Sequence, residues 1–223
     1  MARHRCRPLL LLASIAVLVT TDAQTAAGAG TGVRTGAALA ATGHVDLVGD
    51  SVTEQAFGYL GGEVGTGAPR HLDRWSGTGW TVADVAAHTE ARAEDGGLDA
   101  LVVALGPNDA SPTNGGWDAT DVARWRRLLA TPAASACVVV VLPGWGQQLD
   151  GTPWAKAMER MRADVRGLAA AREAAGSPTV TVDWLPIVRR HPDYLAGDGI
   201  HLGSDAAAAA RQQLYWQGLD HCA

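Results

Sequence analysis

Lysine is almost missing from this chain: Lys156 is the single one among 18 basic residues, and arginine supplies the rest. That skew reads as codon bias, not as function. Charged residues make up 18% of the 223 residues and the net charge is −5. A mildly negative chain argues against nucleic acid as a partner, because phosphates demand clustered Lys and Arg. Long apolar runs are missing as well. Leu9–Thr20 falls short of the ~20 residues a bilayer requires, and no later segment reaches that length. Stable membrane insertion is therefore not expected of the mature protein. Metal-ligand spacing is also lacking. His44, His71, His88, His191 and His221 stand in no HExxH-like pattern, so the residues call for no metal.

What is present begins at the N-terminus. Arg3, Arg5 and Arg7 precede the apolar run, and small residues follow it around Ala23 and Ala26. This order is that of a secretory signal peptide, expected over residues 1–23, and it makes a secreted, extracellular protein the expectation. Residues 24–43 are nearly all Ala, Gly and Thr, without helical or strand periodicity, and read as a flexible lead-in. One folded domain is expected over residues 44–223, a length that suits a single core. Of the three cysteines, Cys6 leaves with the signal. Cys137 and Cys222 then either form one disulfide, as export permits, or stand as separate thiols.

Within the domain, apolar segments alternate with helical ones. Strands are expected at Val45–Val48, His71–Trp75, Ala100–Leu105, Cys137–Leu142 and Thr179–Trp184. Helices are expected at Val52–Leu60, Thr81–Glu94, Asp118–Leu129, Ala155–Ala175 and Ser204–Gln217. Strands apolar throughout must be buried on both faces, and their alternation with helices gives parallel βαβ units. The fold class is α/β: a three-layer α/β/α sandwich with a central parallel sheet of about five strands. Ligands in such sheets bind at the carboxyl ends of the strands, which selects the loops to read for chemistry.

Three of those loops carry reactive groups. Gly49-Asp50-Ser51 places a hydroxyl at a strand-to-helix turn, where it either caps the next helix or, given a base, acts as a nucleophile. Gly106-Pro107-Asn108-Asp109 offers a side-chain amide, or simply a turn. Asp198-Gly199-Ile200-His201 sets a carboxylate three residues before an imidazole, a spacing that can fix the ring's tautomer. The order Gly-Asp-Ser, a Gly before Trp80, Gly-x-Asn-Asp and Asp-x-x-His resembles the SGNH, or GDSL-like, hydrolase superfamily over the whole expected domain. The resemblance implies a flavodoxin-like sheet and an ester-cleaving enzyme without a cofactor. It also implies that Ser51 is the nucleophile, His201 its base and Asp198 the residue orienting His201. The Ser51 and Gly79 N–H groups and the Asn108 amide would form the oxyanion hole. Gly77 is a rival to Gly79, which is preferred because Gly79-Trp80-Thr81-Val82-Ala83 matches the family's Gly-x-Thr-x-Ala.

Eight tryptophans stand against one phenylalanine and three tyrosines. Trp80, Trp117 and Trp145 follow strand-end loops and are candidates for substrate contact, with plain packing as the alternative. The substrate expected is a small-molecule or carbohydrate ester. Removal of a short acyl group from a sugar is favoured over lipid cleavage, since the chain leaves no room for a lid domain. An acyltransferase acting on a sugar hydroxyl is the second reading, and a non-catalytic carbohydrate-binding module the third.

Overall fold

The computed structural model describes residues 43–59, 71–96 and 98–222. The expected signal peptide, the lead-in (Gly43 apart) and the expected helix end at Leu60 lie outside the described residues. Strands β1 (His44–Gly49), β2 (His71–Ser76), β3 (Ala100–Ala104), β4 (Cys137–Leu142) and β5 (Thr179–Asp183) form a 5-stranded sheet. Its order is β2-β1-β3-β4-β5 and every pairing is parallel. The helices are α1 (Ser51–Gly58), α2 (Val82–Glu94), α3 (Ala119–Ala130), α4 (Pro153–Ala174), α5 (Leu185–Arg190) and α6 (Asp205–Asp220). α1 packs with α6, while α2, α3 and α4 pack in series. Right-handed crossovers place these two groups on opposite faces of the sheet, which gives the expected three layers.

The strands form because their residues have nowhere else to go. β3 and β4 read Ala-Leu-Val-Val-Ala and Cys-Val-Val-Val-Val-Leu, and every residue of both is buried. β-branched side chains suit the pleat, and burial on both faces needs no polar alternation. The helix ends carry their own signals. Thr81 and Asp84 form a capping box at α2, and Asp118 accepts from Thr120 and Asp121 N–H at α3. α4 starts two residues before the expected Ala155, because Thr152 caps it and Pro153 takes the first helical position. α5 was not expected: at six residues it is too short to show a period.

Cys137 and Cys222 are bonded, with Cα atoms 5.8 Å apart. This decides between the two alternatives left open above. The bond ties the first residue of β4 to the segment just after α6, at the N-terminal end of the strand and so remote from the strand C-termini.

The topology also locates the site. The chain leaves β1 in one direction toward β2 and later returns to its other side for β3. The loops after β1 and β3 therefore diverge and open a crevice at this switch point.

Candidate active site

β1 ends at Gly49, where a Cβ would meet Thr53 Oγ1 at 2.2 Å. Only glycine lets the chain turn this tightly into α1. Asp50 caps that helix, its Oδ1 accepting from Val52 N–H at 3.0 Å. Because Asp50 does the capping, the Ser51 hydroxyl is free for another partner. Ser51 Oγ lies 2.9 Å from His201 Nε2, and His201 Nδ1 lies 2.5 Å from Asp198 Oδ2. With Nδ1–H donated to the carboxylate, the ring presents its Nε2 lone pair to the serine hydroxyl.

The Asp198–His201 turn is internally braced. Asp198 Oδ1 accepts from the N–H groups of Ile200 at 2.9 Å and His201 at 3.0 Å. Burial works to raise the Asp198 pKa, but the bonds from the His201 ring and these two N–H groups outweigh it and hold the carboxyl below its ordinary value. Asp198 is thus held as an anion, which stabilises a protonated ring.

A buried polar network underlies the serine. Asp50 is 1% exposed and Arg211 of α6 is 3% exposed. Burial pushes the Asp50 carboxyl up to about 6, with the Arg211 charge and the Val52 and Thr53 N–H groups pulling against it. Arg211 Nε donates to the Tyr215 hydroxyl at 3.1 Å, which lies 3.2 Å from Thr53 Oγ1. Thr53 donates onward to the Ala104 carbonyl at 3.3 Å. α1, α6 and β3 are therefore laced together behind the reactive group.

The loops after β2 and β3 are laced in the same way. Asn108 Nδ2 donates to the Trp80 carbonyl at 3.1 Å, and Asp109 Oδ1 accepts from Val82 N–H at 2.9 Å. An asparagine amide carries two N–H bonds, so one stays available for another acceptor. Burial pushes the Asp109 carboxyl up to about 7, with the Val82 N–H opposing and the charges of Asp121 and Asp50 adding to the rise. Ser51 is the first residue of α1, and its N–H has no intrahelical acceptor. The Gly77 N–H is engaged with the Gly49 carbonyl at 3.4 Å. Among the described residues the Gly79 N–H makes no hydrogen bond, and its φ of +79° is one glycine favours. Of the two glycines, Gly79 is the one with a donor to spare.

The tryptophans divide differently from expectation. Trp117 is 8% and Trp145 1% exposed, so neither presents a face to a ligand. Trp117 Nε1 donates to Asp164 at 2.8 Å and Trp145 Nε1 to Asp150 at 3.1 Å. The guanidiniums of Arg162 and Arg189 stand 5.7 and 5.8 Å from the Trp145 ring centre. For these two, packing replaces the expected substrate contact. Trp80 is half-buried, with its ring 5.5 Å from that of Trp75, which is 43% exposed.

An open pocket of about 520 Å³ reaches Ser51 and His201 and is lined further by Glu54, Gln55, Gly58, Tyr59 and Thr78. Sequence reasoning missed these five. For four of them, all but Thr78, the signal was there: Glu54, Gln55, Gly58 and Tyr59 follow Ser51 at the i+3, i+4, i+7 and i+8 spacing of one helical face. Among the described residues, no group of three or more His, Cys, Asp or Glu side chains is placed to hold a metal ion.

No family model matches the chain, and no curated protein matches it. Solved structures do. The acetylxylan esterase of Geobacillus stearothermophilus superposes with a TM-score of 0.63 at 16% identity, over 81% of this chain and 95% of that one. The family 3 carbohydrate esterase of Clostridium thermocellum gives 0.55 at 19% identity, over 78% and 93%. The C-terminal catalytic domain of Streptococcus pneumoniae peptidoglycan O-acetyltransferase A gives 0.52 at 22% identity, over 79% and 90%. The likeness establishes the fold: a three-layer α/β/α sandwich around a parallel five-stranded sheet.

Proposed function

We propose that this protein is a secreted serine esterase that removes short acyl groups, acetyl foremost, from carbohydrates. The observation that carries the reading is the relay Ser51 Oγ–His201 Nε2–Asp198, at 2.9 and 2.5 Å, set beside the Asn108 amide at the switch point of the sheet. His201 Nε2 takes the Ser51 proton as Oγ attacks the ester carbonyl carbon. The carbonyl oxygen becomes an oxyanion, met by the Ser51 and Gly79 N–H groups and the free N–H of Asn108. The Asp198 anion stabilises the imidazolium. His201 then returns the proton to the departing alcohol oxygen, which leaves an acyl group on Ser51. Water, deprotonated by His201, attacks that acyl carbon, and collapse releases the acid and regenerates the Ser51 hydroxyl.

Secretion is part of the proposal. It is supported by the basic-then-apolar run ending at Thr20 and by the Cys137–Cys222 bond, which suits an oxidising compartment. The sugar substrate is supported by the likeness to an acetylxylan esterase and a carbohydrate esterase, and by the Trp75–Trp80 pair beside the second loop. The likeness to an O-acetyltransferase domain favours one second reading, in which a sugar hydroxyl replaces water in the deacylation step. Both readings share every residue role up to the acyl-enzyme. Incubating the protein with an acetylated xylo-oligosaccharide, with and without a non-acetylated acceptor, separates them. Free acetate as the main product in both cases supports the esterase. Acetylated acceptor at the expense of acetate makes it a transferase. Neither product, with Ser51 also inert to a chromogenic ester, defeats both.

A further inference from the structure

The segment bearing Asp198 and His201 is bonded mainly to itself. Leu195 and Leu202 form an antiparallel bridge, Ala196 N–H donates to the His201 carbonyl at 2.8 Å, and Gly203 N–H donates to the Tyr194 carbonyl at 2.9 Å. Such a segment holds its shape as a unit. What has to be fixed separately is its distance from α1, since the 2.9 Å between Ser51 Oγ and His201 Nε2 spans two elements 150 residues apart in sequence.

Two side chains cross that gap, Gln55 of α1 and Tyr59 at its C-cap, and both end on the residue next to His201. Gln55 Oε1 accepts from Leu202 N–H at 2.9 Å, and the Tyr59 hydroxyl donates to the Leu202 carbonyl at 3.1 Å. Leu202 is 1% exposed, so its N–H has little water to turn to. Ser51, Gln55 and Tyr59 succeed each other at i, i+4 and i+8, one helical turn apart on the same face. The helix that carries the serine thus also grips the backbone adjoining the histidine, at both of that residue's polar groups.

We propose that Gln55 and Tyr59 are positioning residues which set the register between Ser51 and His201. Their hydrogen bonds go to neither ring nor hydroxyl of the relay; they fix the His201 backbone relative to the helix that presents Ser51. The inference rests on the esterase reading for its kinetic consequence only, because the register itself is a distance. Without the Gln55 carbonyl, the Leu202 N–H draws away toward another acceptor and carries His201 with it. A misplacement of about 1 Å lowers turnover by up to about 10²-fold. Both side chains also line the pocket, so binding of a small ester changes too, but far less than turnover.

The test compares Gln55→Met, which keeps length but lacks the acceptor, with Gln55→Glu, which restores it, and with Tyr59→Phe. For p-nitrophenyl acetate, Gln55→Met lowers kcat by about 10- to 100-fold with KM within about twofold, and Gln55→Glu recovers most of the loss. Tyr59→Phe removes one hydroxyl from an exposed side chain, so it folds even if Gln55→Met does not, and it lowers kcat several-fold. A crystal structure of Gln55→Met, or of Tyr59→Phe in its place, supplies the readout that needs no activity. The expected result is Ser51 Oγ to His201 Nε2 beyond hydrogen-bond reach, about 3.5 Å. An unchanged distance together with unchanged kcat overturns the proposal. Loss of kcat in equal measure in the Glu variant also overturns it, since that points to general damage. A wild type inert to every ester defeats the esterase reading and leaves the distance to decide the inference.

Discussion

Replacing Asn108 by alanine removes the proposed oxyanion donor with little else disturbed, and the structure says why. The loop that carries Asn108 is held by its backbone: the Asn108 carbonyl accepts from Ser111 N–H at 3.1 Å and from Asn114 Nδ2 at 3.0 Å. Neither bond involves the side chain that alanine removes. Asp109 still accepts from Val82 N–H at 2.9 Å, so the second and third loops stay joined. What is lost is the amide bond to the Trp80 carbonyl and the free N–H assigned above, as a proposal, to the oxyanion. The first is a single hydrogen bond worth about 1 kcal/mol net, or a Tm lower by roughly 2–4 °C in a chain of this size. The second costs about 2.7–4 kcal/mol of transition-state stabilisation, a fall of about 10²–10³ in kcat. KM for a small ester is expected within a few-fold of wild type, because the donor acts on charge that the ground state lacks. Steady-state kinetics on p-nitrophenyl acetate beside a thermal melt separates the two effects. Asn108→Asp, which puts a negative charge where the oxyanion forms, is expected to be slower still. A kcat within about threefold of wild type in Asn108→Ala, with Tm lowered as stated, would refute the assignment of Asn108 to the oxyanion hole.

Three other predictions concern different parts of the molecule. Cys222→Ser opens a loop closed over a separation of 85 residues, for which chain entropy sets a ceiling of about 4.5 kcal/mol. The denaturant midpoint should fall clearly while kcat holds, since the bond sits at the N-terminal end of β4, opposite the strand ends that carry Ser51; lost activity in folded protein would contradict that. Asp50 and Asp109 have folded pKa values raised from 3.8 to about 6 and about 7. The folded state therefore holds more protons than the unfolded one between about pH 4 and 7, and stability falls as pH rises through that window. Asp109 contributes on the order of 4 kcal/mol to the fall, so urea unfolding of Asp109→Asn should show a flatter profile, and a wild-type profile that rises with pH would sink the argument. Trp80→Ala should raise KM for an acetylated oligosaccharide far more than for p-nitrophenyl acetate if the Trp75–Trp80 pair meets the sugar; equal effects would return Trp80 to packing.

Much of the site is readable in the sequence because its parts lie at strand ends, where periodicity stops and turn residues begin. The unbroken apolar runs at Leu101–Val103 and Cys137–Leu142 announce buried parallel strands, and the pairing of β3 with β1 places the Asn108 and Ser51 loops side by side. Whether Ser51 caps a helix or does chemistry is not a matter of its own identity. It turns on Asp50, whose carboxylate takes the Val52 N–H and leaves the hydroxyl to His201. Trp145 misleads for a related reason. Its place after β4 suits a ligand platform, but Asp150 of the same loop takes its N–H, and Arg162 of α4 and Arg189 of α5 flank its ring. Arg211 and Asp50 likewise meet only in three dimensions, and no local pattern marks a pair 161 positions apart (211 less 50). α5 has too few residues for a period. The face of α1 running from Ser51 through Gln55 to Tyr59 was legible but requires asking what a polar stripe beside a nucleophile could touch.

The most direct test of the account is hydrolysis of a p-nitrophenyl acyl series by the protein beside Ser51→Ala, with mass spectrometry of the acid-quenched reaction. The account predicts turnover that is fastest on the shortest chains, an acyl group on Ser51 in the quenched wild type, and a loss of at least about 10³-fold in Ser51→Ala. Turnover that survives in Ser51→Ala, or a folded wild type that cleaves no ester of the series and no acetylated sugar, would contradict it.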